Sequence, residues 1–126
     1  MKTSELTGAA LDWAVAIVED MRIEVRPKSA CGRPLYVLAA EQGREPWLWY
    51  PSTSWAQAGP IIERERMGLW WATHYVDEGV EYGNHWYAED KNGDEVRTGP
   101  TPLIAAMRCY VASKLGDEVE IPEELT

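Results

Sequence analysis

The chain has 126 residues, 45% hydrophobic and 26% charged, which are the proportions of one globular domain and exclude wholesale disorder. It carries 21 acidic against 12 basic side chains, a net charge of −9 with neutral histidines; direct DNA or RNA binding is therefore not expected, because it relies on basic groups neutralising phosphates. No stretch approaches the roughly 20 apolar residues of a membrane span, and the start Met1–Leu6 lacks a signal peptide's basic-then-apolar layout, so a cytosolic protein is expected.

Residues 4–20 read as a helix. Leu6, Ala10, Trp13, Ala14, Ile17 and Met21 recur at spacings of three and four, placing them on one face, with Thr3 or Ser4 as cap and Asp12, Glu19 and Asp20 away from the stripe. The period changes to two at Ile23 and Val25, a short strand ended by Pro27. A turn at 28–34 leads to a second strand at 35–40. After a turn at 41–46, Trp47–Tyr50 adds more sheet. Ser52, Thr53 and Ser54 supply cap-and-turn hydroxyls. Gly59-Pro60 opens a second short helix with Pro60 at its first position, Ile61 and Ile62 as anchors and 63–66 as its solvated side.

The aromatic, β-branched run 68–76 and the run 81–89 read as strands. Asn92-Gly93 marks a tight turn into a return strand at 94–98. The last helix begins with Thr101 as cap and Pro102 in the first turn, and buries Leu103, Ile104, Met107, Tyr110, Val111 and Leu115. Gly116 ends it, and 117–126 is expected as a loose acidic tail. The order predicts a single α+β domain over 1–126. Its antiparallel or mixed sheet of about four to five strands is covered by the N-terminal and C-terminal helices.

Chemistry-bearing motifs are scarce. Cys31 and Cys109 lie far apart without ligand spacing, so no metal site or disulfide framework is indicated, and Cys109 reads as a buried thiol. His74 and His85 lack carboxylate or thiolate company, and Glu63 and Glu65 alternate with Arg64 and Arg66 as a salt-bridged helix face does. No phosphate loop, dinucleotide fingerprint or nucleophile elbow occurs, so neither catalytic residues nor a cofactor is assigned. Seven Trp, six Tyr and no Phe mean that every ring carries a hydrogen-bonding handle, which suits half-wet pockets and interfaces.

Arg108 projects beside the last helix's apolar stripe, facing either an internal partner or an anionic ligand. Thr101, at a helix N-terminus, is a generic anion site. With Ser52, Thr53, Trp55, Gln57, Gly59, Pro60 and Glu63, these residues form the candidate binding set for an anionic or nucleotide-like small molecule.

Three stretches, 1–16, 50–64 and 99–116, together resemble the NinX family of small proteins of tailed phages and their prophages. The pattern Ser-Thr-x-Trp-x-Gln-x-Gly-Pro-Ile-Ile-Glu falls on Ser52, Thr53, Trp55, Gln57, Gly59, Pro60, Ile61, Ile62 and Glu63, with Ala58 where a second glycine is expected. The resemblance implies a phage or prophage origin and the bacterial host cytoplasm, and carries over no catalytic residue. Three functions stay open, in this order. The first is a non-enzymatic accessory protein that sequesters a nucleotide-like molecule in counter-defence. The second is an acidic interaction protein or inhibitor of a host protein, and the third an accessory enzyme of phage nucleic-acid metabolism. Homo-oligomerisation is open too.

Overall fold

A computed structural model describes residues 1–26, 32–38 and 45–126. Cys31, most of the expected turn at 28–34, the end of the second strand at 39–40 and the turn at 41–44 lie outside the described residues. The fold is α+β. Among the described residues it has three α-helices and eight short antiparallel strands in groups of three, three and two, where one sheet of four to five was expected.

The first helix, α1, spans Gly8–Val18, later than the expected 4–20. Thr3 does not cap it: the Thr3 N–H donates to Asp117 O at 2.8 Å and its hydroxyl to Gly116 O at 2.7 Å. The opening residues are thus pulled into a separate 3-10 turn against the far end of the chain. Leu6, Leu11, Ala14, Val15 and Ala16 are buried and Ile17 is exposed. The buried surface is therefore rotated from the expected stripe and wraps most of the helix. Asp12, expected outside the core, is inside it at 4% exposure.

Strands β1 (Ile23–Val25), β2 (Leu35–Val37) and β3 (Trp47–Leu48) form an antiparallel sheet pairing Val25 with Leu35 and Tyr36 with Leu48. Leu35 and Val37 are buried, and β2 packs towards α1. The second helix, α2, spans Trp55–Arg64 and begins earlier than expected. Ser54 caps it, and Pro60 lies inside it, not at its first position.

The expected strands 68–76 and 81–89 each break in two. They become β4 (Gly68–Ala72) and β5 (Tyr75–Asp77), then β6 (Val80–Tyr82) and β7 (His85–Glu89). Gly83 and Asn84 force the break, with φ of 81° and 59°. Strands β4, β7 and β8 (Val96–Gly99) make the second sheet, and β5–β6 a separate ribbon. The third helix, α3, spans Pro102–Leu115, capped by Thr101 and ended at Gly116 as expected. It packs on β7, β8 and α1, and is buried nearly all round from Leu103 to Ala112. Gly99 permits this close approach, because a Cβ there would lie 2.7 Å from Ala105 N. Within 117–126, Val119 is buried, and Ile121 and Leu125 pack against the core.

Candidate functional site

Asp12 lies a little over one turn into α1, and it organises the loop between β3 and α2. The Ser52 N–H donates to Asp12 Oδ1 at 2.7 Å, and Trp49 Nε1 donates to the Asp12 backbone carbonyl at 2.9 Å. Ser52 and Pro51 are buried by this attachment. Gln57 holds the loop from the other side: its Oε1 accepts from Tyr50 N–H and its Nε2 donates to Leu48 O, both at 2.7 Å. Ser54 Oγ accepts the Gln57 N–H at 3.3 Å, closing the first turn of α2.

Asp12 also lines a cleft of about 400 Å³, together with Gly8, Ala9, Arg33, Tyr50, Ser52 and Thr53. Gly8 and Ala9 are the first residues of α1, whose cap residue Thr7 makes no side-chain bond to them. The Arg33 guanidinium lies 4.2 Å from the centre of the Tyr50 ring. Burial pushes the Asp12 carboxyl up to about 7, against the opposing pull of the Ser52 hydrogen bonds and the Arg33 charge. Burial thus favours the protonated acid, a form able to donate as well as accept.

Of the candidate set, Ser52 and Thr53 line this cleft, whereas Trp55, Gln57, Gly59, Pro60, Glu63, Thr101 and Arg108 do not. Trp55 is 56% exposed at the start of α2. Thr101 Oγ1 accepts from Ile104 N–H at 3.1 Å, an ordinary cap. Arg108 donates from Nε to Leu6 O at 2.8 Å and from Nη1 to Thr98 O at 2.9 Å, tying the N-terminal segment to β8.

Asp12, Arg33 and Tyr50 are cleft residues that sequence reasoning missed. Asp12 left one signal: its neighbours one turn away are Gly8, Ala9, Val15 and Ala16, so no other polar side chain shares its side of the helix. Elsewhere, Arg64 pairs with both Glu19 oxygens at 3.2 and 2.8 Å, and Tyr110 OH donates to Glu19 Oε2 at 2.6 Å. That network joins the ends of α1 and α2 to α3. The Cys109 thiol is buried and pushed up to about 12, first by that burial, which keeps it protonated. Among the described residues no helix is long and apolar enough to cross a membrane.

No curated protein matches the chain. The profile of the family described as "Bacteriophage P22, NinX" matches residues 2–114, and the chain belongs to this phage family.

Proposed function

We infer that the chain is a non-catalytic accessory protein that captures a nucleotide-like small molecule in the cleft between the start of α1 and the Tyr50–Ser54 loop. The observation that carries this reading is that buried Asp12 lines an open cleft together with Arg33 and the first residues of α1. A carboxyl poised near 7 complements the mixed donor and acceptor edge of a heterocyclic base. The first-turn N–H groups of α1 and the Arg33 guanidinium favour a phosphate. Ser52 and Thr53 add hydroxyls at the loop. For a phage protein, such capture serves counter-defence by withdrawing a nucleotide signal from the host.

The test is a thermal-shift panel of mono-, di- and cyclic nucleotides and ADP-ribose on the full chain. A ligand at 100 times its dissociation constant adds about 2.7 kcal/mol of stability. The best ligand is then titrated calorimetrically against Asp12→Asn and Arg33→Ala variants, each expected to lose roughly tenfold or more in affinity. Glu63→Gln, outside the cleft and exposed, should leave affinity unchanged. A flat panel, or an affinity indifferent to both cleft variants, overturns the reading.

A further inference from the structure

The segment from Met67 to Asp90 holds five carboxylates and no Lys or Arg. Within it, β5 and β6 continue β4 and β7 as an arm closed by a Glu78–Gly79 turn, where φ is 49° and 80°. The base of the arm is fixed by backbone contact. Asn84 N–H donates to Ala72 O, and a Cβ on Gly83 would lie 1.9 Å from Thr73 O, so only glycine fits. Among the described residues, β5 and β6 pack on each other and on no other element to a comparable extent.

A two-stranded ribbon alone is marginal in water, and this one leaves Val76 58% and Val80 51% exposed. Register sets Val76 opposite Glu81 and Val80 opposite Asp77, so each face of the arm joins one valine to one carboxylate. On β4, beyond the break, Trp71 is also exposed, at 46%. Ordering such a ribbon costs conformational entropy and returns little burial within the chain itself. Two arms laid together would set like charges against each other, which disfavours a second copy as the occupant.

We propose that the β5–β6 arm is a docking element for a basic protein partner, one presenting an apolar groove rimmed by Lys and Arg. The arm enters the groove edge-on, Val76 against one wall and Val80 against the other, while Asp77 and Glu81 beside the valines and Glu78 at the turn pair with its Lys and Arg and speed encounter.

The test uses the full chain and two labelled probe peptides, one alternating Leu with Lys and one alternating Leu with Glu. Only the lysine peptide should bind, with an affinity that falls as salt rises. Val76→Ser/Val80→Ser, which leaves the charge unchanged, should weaken binding roughly tenfold. Asp77→Asn/Glu78→Gln/Glu81→Gln should weaken it comparably. Glu120→Gln/Glu123→Gln/Glu124→Gln, an equal charge change elsewhere, should not. The arm lies outside the core, so these arm variants should keep the wild-type thermal midpoint. Equal loss in both charge variants would show attraction to net charge alone and overturn the proposal. Binding indifferent to the valines would overturn it too, as would a dimer in sedimentation that the valine variant dissolves.

Discussion

Burying the Asp12 carboxyl couples its ionisation to folding. Its unfolded value is 3.8 and its folded value about 7. Between the two, the folded chain holds a proton that the unfolded chain has released, so stability falls as pH rises through this window. Ionising the group in the folded chain therefore carries a penalty on the order of 4 kcal/mol. An Asp12→Asn variant keeps an acceptor for Ser52 N–H and never ionises. Urea unfolding at intervals from pH 4 to pH 8 should therefore show its stability relative to wild type rising with pH. Parallel curves for the two proteins would mean that Asp12 does not carry this shift. The same residue marks where sequence reading stopped. A lone acid in an apolar helix is ordinarily placed on the solvent side, and only the Trp49–Ser52 loop, remote in sequence, shows why it is buried here.

At the scale of elements, two helices contrast. The start and stop of α3 were legible because its cap, its first-turn proline and its terminal glycine are local chemistry. The start of α2 was not, because Gly59-Pro60 resembles a helix opening more strongly than Ser54 does. What decides the matter is Gln57. Its side chain bridges Tyr50 N–H and Leu48 O, fixing the chain as helix five residues before Pro60. Ser54→Ala should cost about 1 kcal/mol, the usual loss of a cap. Gln57→Ala should cost about 2 kcal/mol, since it strands two backbone groups at once. Denaturant midpoints would rank the pair, and an equal or reversed order would remove Gln57 from this role. The strands were legible as apolar runs but not as eight pieces. Their break depends on Gly83 closing against Thr73, a contact between residues ten apart.

At the scale of the whole molecule, residues 1–3 pair with residues 116–119. The amino terminus donates to Val119 O and Val119 N–H donates back to Met1 O, each at 2.9 Å, and Lys2 bridges to Glu118. Arg108 reaches from α3 to the Leu6 carbonyl, so the central helix grips the same N-terminal segment. The acidic composition of 117–126 hid this, because Val119, Ile121 and Leu125 are too sparse among carboxylates to read as a packing stripe. Ending the chain after Asp117 keeps the Thr3–Asp117 bond and the Arg97–Asp117 pair at 2.7 Å. It removes the burial of Val119 together with the Met1 pairing. That loss should lower stability by about 3 kcal/mol, taking one buried aliphatic side chain and its backbone bonds together. The shortened chain should also unfold with a smaller urea slope, because less surface remains to be exposed. An unchanged midpoint would mean that the tail rests on the domain without stabilising it, and the Met1–Val119 pairing would then follow from the fold without helping to hold it.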